Sequence, residues 1–423
     1  MADAASGEPS RRSMAVAAMS TVVEWYDFTL YLYFATVLSR VFFGSGSAGL
    51  ATALGGFAVA YLMRPLGAAV FGHVGDRFGR RRMMLWSMAL MTAAMLATAL
   101  LPTAAAIGPA AGWWLIALRC VMGFSVGGEY TGVVAYLLES APAARRGFTT
   151  SLAAAASEVG GLLAAGVSAL TVSLIDPAAL AAWGWRVPFL VGAALAGAIL
   201  IARSTLHESP EFTRQQRAGT VPASPLAHAL THHRAAIARG FAISALGSIT
   251  YYVGISYVPA FLTATGAASE ARALWLSTAA ALMVIAVTPL VGALSDRIGR
   301  RPVLLGLCAC GVVLPVAMFA LMADGGLPRV IGGALVLAAL GGGVSAVGAV
   351  ATAEQFPGEG RLTGLALGAT TATAIFGGMA PWGAQRLTDA TGSPLLPGAM
   401  IAVVALAALP VFRSMRETRA PAS

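Results

Sequence analysis

The stretch GHVGDRFGRR, residues 72–81, recurs as GALSDRIGRR at residues 292–301. Each residue that the two copies share is repeated 220 positions later, and each copy follows a long apolar run. Glycine at these positions permits a tight turn and a close approach between helices, while the aspartate can cap a helix or pair with an arginine. Two copies at one offset indicate a chain built from two related halves.

The composition around these repeats is typical of a membrane protein. Of 423 residues, 58% are hydrophobic and 11% are charged, whereas an ordinary soluble domain has roughly 25% charged residues. Apolar runs long enough to span a bilayer, about 20 residues each, recur along the chain. All 27 cations are arginines, and 25 of them lie in short clusters between these runs, so the distribution of the net charge of +9 argues for the lipid bilayer as partner and against nucleic acid.

We predict an all-α integral membrane fold with about twelve transmembrane helices. The predicted spans are 14–40, 48–71, 83–103, 112–139, 148–175, 186–206, 236–264, 271–294, 302–323, 328–354, 363–388 and 395–413. One set of loops holds 20 arginines and the opposite set 5, and this bias places both termini in the cytoplasm. The predicted domains are a six-helix bundle at 1–205, a cytoplasmic linker at 206–235, and a second six-helix bundle with a short cytoplasmic tail at 236–423.

A second pair of motifs supports the duplication. Glu139-x-x-Pro142-x-x-x-Arg146 matches Glu354-x-x-Pro357-x-x-x-Arg361 at an offset of 215. We predict that the two repeats form a cytoplasmic gate of charged residues that must open during a working cycle, and the alternative is a static anchor that only fixes topology. The predicted gate residues are Asp76, Arg77, Arg80, Arg81, Glu139, Arg146, Asp296, Arg297, Arg300, Arg301, Glu354 and Arg361.

Seven motifs give the chain a resemblance to a known family. They run from the first predicted span to the eleventh: EWYDF (24–28), MRPLG (63–67), GDRFGRR (75–81), GFSVGGEYTG (123–132), WGWRVPF (183–189), LSDRIGRRP (294–302) and IFGG (375–378). The chain resembles the major facilitator superfamily, and within it the metabolite:proton symporters, which include proline/betaine, citrate, 2-oxoglutarate and shikimate permeases. The resemblance implies two six-helix bundles with alternating access, in a monomeric carrier of the cytoplasmic (inner) membrane that takes up a small organic solute with protons.

Ionisable residues inside the predicted spans are candidates for the coupling chemistry, because such residues are expensive to bury. Glu24 and Asp27 lie three residues apart on one face of the first span, and Arg119 and Glu129 lie in the fourth. Coupling to protons requires a carboxylate that alternates between protonated and ionised forms. We therefore predict Asp27 and Glu129 as the leading proton-coupling residues, with Glu24 and Arg119 beside them. The alternative is that the acids only neutralise Arg64 or Arg119.

A second set of residues is predicted to contact the transported solute. Arginine binds carboxylates, and the faces of tyrosine rings hold quaternary ammonium groups. Four acids against two arginines in the spans favour a zwitterion, such as a betaine or amino acid, or a monocarboxylic acid. A citrate-like di- or tricarboxylate carried with protons, and an exporter of the same fold, remain alternatives; packing is the alternative role for each residue. The predicted contacts are Arg119, Arg64, Tyr31, Glu158, Tyr251, Tyr252 and Tyr257.

The sequence argues against an enzyme. GFSVG at 123–127 matches the G-x-S-x-G pattern of hydrolases, but that pattern needs a preceding strand, and here it falls within a predicted helix. All five histidines fall in loops or at the ends of spans. The sequence has neither a metal-binding cluster nor a phosphate-binding loop. We therefore predict no cofactor and no metal.

Overall fold

The computed structural model describes residues 11–44, 47–127, 129–221, 224–268, 270–356 and 361–418, and every regular element in these ranges is helical. Pro357 of the second Glu-x-x-Pro motif lies outside the described residues. The first part of the chain forms α1 (Arg11–Tyr33), α2 (Ala35–Leu38), α3 (Ser47–Leu62), α4 (Arg64–Phe78), α5 (Arg80–Leu100), α6 (Ala104–Ile107), α7 (Ala110–Val126), α8 (Glu129–Ser140), α9 (Arg146–Leu174), α10 (Pro177–Ala179) and α11 (Arg186–Ser204).

Ten further helices follow. They are α12 (Pro210–Ala218), α13 (Pro225–His232), α14 (Arg234–Tyr251), α15 (Val258–Ala264), α16 (Glu270–Ile298), α17 (Arg300–Ala323), α18 (Leu327–Glu354), α19 (Arg361–Thr373), α20 (Ala380–Thr391) and α21 (Leu396–Ser414). Four π-helical segments lie between them, at Ser39–Phe43, Leu180–Gly184, Tyr252–Ser256 and Ala374–Met379, and a 3₁₀ turn covers Ala143–Arg145.

In the described part of the chain, nine helical segments are long and apolar enough to cross a membrane. They coincide with the predicted spans three to six and eight to twelve. The segments are Arg80–Leu100, Ala110–Ser140, Ala143–Ser168, Leu180–Ser204, Trp275–Ile298, Arg300–Ala323, Leu327–Glu354, Arg361–Thr388 and Leu396–Ser414. The predicted spans 14–40, 48–71 and 236–264 are mostly helical but are not among the nine. The count of twelve and the cytoplasmic position of the termini therefore remain predictions.

The repeated loop motif has one local structure in both places. Gly79 separates α4 from α5 with φ of 109°, and Gly299 separates α16 from α17 with φ of 104°. Residues other than glycine rarely adopt such a positive φ angle. The turn between the two long helices therefore depends on glycine at this position. The repeat in sequence is thus a repeat of the same interhelical turn.

One compact unit comprises Met1–Ser140, Ala156–His228 and Gly358–Ala366. Within it α1 packs against α8 and α11, and α5 packs against α7 and α11. Two glycines allow close helix approach: a Cβ on Gly127 would collide with the backbone of Arg64, and a Cβ on Gly160 would collide with the backbone of Val22. This close packing brings the polar positions of α1, α4 and α7 into one buried region.

The other compact unit comprises Ala141–Ala155, Ala229–Pro357 and Leu367–Ser423. Within it α14, α16 and α17 pack against α18, and α21 packs against α14 and α17. Apolar side chains such as Phe261 and Phe319 fill its interior. Helices α9 and α19 each begin in one unit and continue in the other. The domain boundaries at 205 and 235 remain a prediction.

Candidate functional site

Asp27 of α1 and Arg119 of α7 form a buried ion pair in the first unit. Nη1 of Arg119 lies 2.6 Å from Oδ2 of Asp27, and the two side chains are 3% and 1% exposed. Arg119 also donates from Nη2 to Oγ1 of Thr98 at 3.0 Å, and its guanidinium carbon lies 5.4 Å from the ring centre of Tyr31. Oδ1 of Asp27 is buried and accepts no hydrogen bond from the described residues. One carboxylate oxygen of Asp27 is therefore bound by Arg119, and the other is open, by which we mean buried without a hydrogen bond from the described residues.

Glu24, one helical turn earlier on α1, pairs more loosely with Arg64 of α4. Nη2 of Arg64 lies 3.6 Å from Oε1 of Glu24. The guanidinium carbon of Arg64 lies 3.9 Å from the ring centre of Phe28 and 4.4 Å from that of Tyr61, so two aromatic faces hold the cation. Oε2 of Glu24 is buried and accepts no hydrogen bond from the described residues. Glu24 therefore resembles Asp27, because each has one carboxylate oxygen that accepts no hydrogen bond from the described residues.

Glu129 of α8 lies in a different environment, since both of its oxygens are bonded. Arg203 binds Oε1 and Oε2, and Oγ of Ser87 donates to Oε2 at 2.5 Å. Arg203 also donates to the carbonyl oxygen of Met84 at 2.7 Å. The sequence analysis counted Arg203 among the loop arginines, which was wrong: it lies inside α11 and is fully buried. The contacts tie α5, α8 and α11 together.

The other predicted solute contacts are divided between the two units. Tyr31 donates its hydroxyl proton to the carbonyl oxygen of Ala53 at 2.9 Å, and Glu158 is buried on α9 in the same unit. In the other unit, the rings of Tyr251 and Tyr252 meet edge to face with centres 5.4 Å apart. Arg64, Arg119, Tyr31 and Glu158 thus lie in the first unit, and the predicted aromatic contacts Tyr251, Tyr252 and Tyr257 lie in the second.

Tyr257 belongs to that second set and makes a contact that the sequence analysis missed. Its hydroxyl group donates to Oε1 of Gln385 at 2.8 Å. Gln385 lies on α20, 128 residues away. A single glutamine in α20 gave no pattern from which this pairing could have been predicted.

The first copy of the repeated loop binds the start of α19. Asp76 accepts hydrogen bonds from the backbone N–H groups of Leu362 at 3.2 Å and Thr363 at 2.7 Å, so it caps that helix. Arg80 lies 2.8 Å from Asp76 and 3.2 Å from Glu139. Glu139 in turn lies 3.1 Å from Arg361. These residues form one buried charge network within the first unit.

The second copy of the loop repeats this arrangement in the other unit. Asp296 accepts hydrogen bonds from the backbone N–H groups of Gly147 and Phe148 at the start of α9, both at 2.8 Å. Arg300 lies 2.7 Å from Asp296 and 3.3 Å from Glu354. Each aspartate thus binds the N-terminus of a helix from the opposite half of the sequence.

The remaining predicted gate residues lie at the edges of these networks. Arg81 donates to the carbonyl oxygen of Ser204, and Arg301 donates to that of Arg413, each at 2.7 Å. These contacts hold the loop against the end of the last helix in each half. The other three residues lie close by, with Arg77 and Arg297 exposed and Arg146 half-buried at the start of α9.

The structure adds two glutamates that the sequence analysis did not select. Glu208 accepts from the backbone N–H of Arg80 at 2.8 Å, and Glu417 accepts from that of Arg300 at 2.9 Å. Each caps the helix that follows the repeated loop. Burial raises the pKa of the Glu208 carboxyl, although neighbouring N–H donors oppose this effect. A sequence signal was present, because an Arg-Ser pair lies shortly before each glutamate, at 203–204 and 413–414.

Comparison with known proteins gives one consistent result. The sequence profile of the sugar (and other) transporter family matches residues 13–224 and again residues 214–420. The glycine betaine/proline/ectoine/pipecolic acid transporter of Dickeya dadantii is 31% identical over 420 residues, which cover 96% of this chain and 83% of that protein. The alpha-ketoglutarate permease of Escherichia coli is 33% identical over 90% of this chain and 89% of its own length. The citrate-proton symporter of Klebsiella pneumoniae is 30% identical over 92% and 87%.

The fold also matches a solved transporter structure. The proton:xylose symporter XylE bound to 6-bromo-6-deoxy-D-glucose superposes with a TM-score of 0.81 at 21% identity, over 96% of each chain. The predicted resemblance and the prediction that the protein is not an enzyme are both confirmed by these relatives. With both halves matching the family profile and whole-length relatives above 30% identity, the chain belongs to the major facilitator superfamily of membrane transporters.

Proposed function

We propose that this protein takes up a small polar organic solute together with protons by alternating access, and that Asp27 is the carboxylate that binds the proton. The single observation that carries the proposal is the half-satisfied ion pair, in which Arg119 occupies Oδ2 of Asp27 while Oδ1 is open in a buried site. Such a carboxylate can be neutralised where it stands. Two relatives support this class of transport. One is named an alpha-ketoglutarate permease, and the other is named a citrate-proton symporter.

Proton binding at Asp27 has a direct consequence for Arg119. When Asp27 is neutral, Arg119 loses its counter-ion and keeps the hydroxyl of Thr98 and the nearby rings of Tyr31 and Phe189. A buried cation without a partner is costly, so the protonated protein favours an arrangement in which another anion or solvent reaches Arg119. A ligand or proton shifts a conformational equilibrium only through such a difference between states. The pair therefore couples the charge on α1 to the position of α7.

Glu129 takes a structural role in this proposal. Its two oxygens are fully bonded by Arg203 and Ser87, so protonation would break several contacts at once. The sequence analysis ranked Glu129 beside Asp27, and the contacts of the two residues separate them. We therefore propose that Asp27 binds the coupled proton, and that Glu129 holds α5, α8 and α11 together through Ser87 and Arg203.

The solute proposed is a zwitterion such as a betaine or amino acid, or an organic acid. Glu24, Asp27 and Glu129 each pair with a buried arginine. With Arg203 counted, the ratio of acids to arginines in the spans changes from four to two to four to three. A tricarboxylate symporter and an exporter of the same fold are the competing functions. We further propose twelve spans, cytoplasmic termini, a monomer, and residence in the cytoplasmic membrane.

A thermal-shift screen of the purified protein tests the solute class. A ligand that binds only the folded state stabilises it by about 2.7 kcal/mol at a concentration of 100 times its Kd. We expect proline or glycine betaine to raise the melting temperature, with sucrose at equal concentration as the control for the general stabilising effect of an excluded osmolyte. Stabilisation by citrate and by none of the zwitterions would favour the tricarboxylate function instead.

The gate is tested by Asp76→Asn and Asp296→Asn. Each variant keeps a side-chain acceptor but loses the charge that faces Arg80 or Arg300 and the helix N-terminus. We expect the maximal rate of solute exchange in proteoliposomes to fall roughly tenfold, as for a coupling of about 1.4 kcal/mol, while the solute concentration for half-maximal thermal shift is unchanged.

The matched control for the gate is Arg217→Gln, which alters an exposed arginine on α12. Its exchange rate should equal that of the unaltered protein. If the two aspartate variants also exchange solute at the unaltered rate, the repeated loops are static anchors and the gate proposal is wrong.

A further inference from the structure

We propose that Glu24 is a second proton-binding group, which relays the proton between Asp27 and the end of the first unit that carries the repeated arginine loop. The proposal rests on the proposed function of Asp27 and extends it. In this proposal the proton passes over two carboxylates on α1, whereas the proposed function alone has one proton-binding residue, Asp27.

The first unit contains three buried acid–arginine pairs, Glu24 with Arg64, Asp27 with Arg119 and Glu129 with Arg203. Glu24 and Asp27 are three residues apart on α1, so their side chains project from the same face of the helix. Arg119, the partner of Asp27, comes nine residues after α7 begins at Ala110, whereas Arg203 lies one residue before α11 ends at Ser204. Glu24 lies within electrostatic range of both Glu129 and Arg203. Glu24 therefore has the Asp27 pair on its own helix and the Glu129 pair within electrostatic range.

The open oxygens distinguish two of these acids from the third. Oε2 of Glu24 and Oδ1 of Asp27 are buried and accept no hydrogen bond from the described residues, and both side chains are 1% exposed. Glu129 is buried to the same degree, yet donors occupy both of its oxygens. A buried polar atom without a partner is costly in its charged form. The open oxygens of Glu24 and Asp27 are thus places where a proton is accommodated.

Arg64 is built to tolerate a neutral Glu24. Its distance of 3.6 Å from Glu24 is longer than the 2.6 Å between Arg119 and Asp27. The rings of Phe28 and Tyr61 lie within 4.4 Å of its guanidinium carbon and stabilise the cation through their faces. Arg64 therefore keeps a favourable environment while Glu24 carries a proton, which a relay group requires.

The transfer itself balances in two steps. In the first step, the carboxylic acid of Asp27 gives its proton to the carboxylate of Glu24, which leaves Asp27 as a carboxylate opposite Arg119. In the second step, Glu24 gives the proton to a water molecule, which forms hydronium and leaves the carboxylate opposite Arg64. Each carboxylate thus faces an arginine whenever it is charged.

Two tyrosines and the Glu129 pair near the relay are already engaged. Tyr26 donates its hydroxyl proton to the carbonyl oxygen of Pro188, and Tyr31 donates to that of Ala53, each at 2.9 Å. Glu129 and Arg203 neutralise each other. Neither tyrosine nor the Glu129 pair therefore competes for the transferred proton.

Infrared spectroscopy of the purified full chain in lipid nanodiscs tests proton binding without any solute. Acidification should produce carboxylic-acid C=O bands, and we expect Glu24→Gln and Asp27→Asn each to remove a different component. Asp324→Asn is the control, because that side chain is 70% exposed and should leave both components in place. Glu24→Asp, which shortens the side chain but keeps the acid, should shift its component and guards against misfolding of the glutamine variant.

A second readout measures the rate of transfer. With the solute that gives the largest thermal shift present on both sides of proteoliposomes that contain a trapped pH-sensitive dye, proton entry after a pH jump should be at least about tenfold slower through Glu24→Gln than through the unaltered protein, because positioned proton-transfer groups contribute about 10²–10⁴-fold. If Glu24→Gln keeps every band component and the unaltered rate of proton entry, the relay proposal is wrong. Asp27 is then the single proton-binding residue of the two. Retention of every component in Asp27→Asn would instead contradict the proposed function itself.

Discussion

The Asp27→Asn variant is expected to lose proton-driven accumulation of solute completely while it still exchanges solute across the membrane. A gradient of one pH unit supplies about 1.4 kcal/mol, or roughly tenfold accumulation for each coupled proton. Asparagine cannot bind and release a proton, so the inside-to-outside ratio should fall to about one in proteoliposomes with an imposed pH gradient. Exchange survives because the amide oxygen still accepts a hydrogen bond from Arg119, which lies 2.6 Å from Oδ2 in the unaltered protein.

Two comparisons make this result specific. Asp324→Asn removes an exposed carboxylate and should accumulate solute as the unaltered protein does. An Asp27→Asn variant that accumulates solute normally would remove Asp27 from the coupling mechanism. A variant that neither accumulates nor exchanges would indicate that Asp27 is needed for solute binding.

The largest effect on stability is expected from Glu129→Gln. Arg203 is fully buried, and Glu129 is its counter-ion. Removal of one partner of a buried ion pair costs about 3–5 kcal/mol, because the other charge is left uncompensated. Thermal unfolding of the purified variant should therefore occur at a markedly lower temperature. The double variant Glu129→Gln with Arg203→Met should recover most of the loss, since it leaves no orphaned charge.

The matched control is an ion pair whose arginine is exposed to solvent. Glu211→Gln removes the partner of Arg214, whose side chain is 76% exposed, and should change the free energy of unfolding by about 1 kcal/mol or less. If Glu129→Gln unfolds like the unaltered protein but fails to accumulate solute, Glu129 is a coupling residue, as the sequence analysis had also predicted.

The repeated loops show what could be predicted from the sequence. Glycine at positions 79 and 299 and the aspartates that precede them act locally, so their spacing alone indicated a tight turn with a capping or pairing acid. The helix that Asp76 caps begins nearly 290 positions away: the bond to Thr363 spans 287 residues. Contacts over such distances depend on packing, which a motif does not specify.

Arg203 shows why the rest could not be predicted. A residue in the last turn of an apolar run can point to water or into the protein, and the count of loop arginines assumed the former. The structure places it fully buried against Glu129. That one contact changes both the charge balance of the first unit and the role of an acid that sequence reasoning ranked with Asp27. Buried pairs of this kind require the helix orientations to be known.

The most direct measurement of the central claim is proton movement caused by solute in proteoliposomes that contain a trapped pH-sensitive dye and no imposed gradient. The solute is the compound that gives the largest thermal shift, added outside. The account predicts acidification of the interior with the unaltered protein and none with Asp27→Asn. Solute entry without acidification, or with alkalinisation of the interior, would contradict proton-coupled uptake.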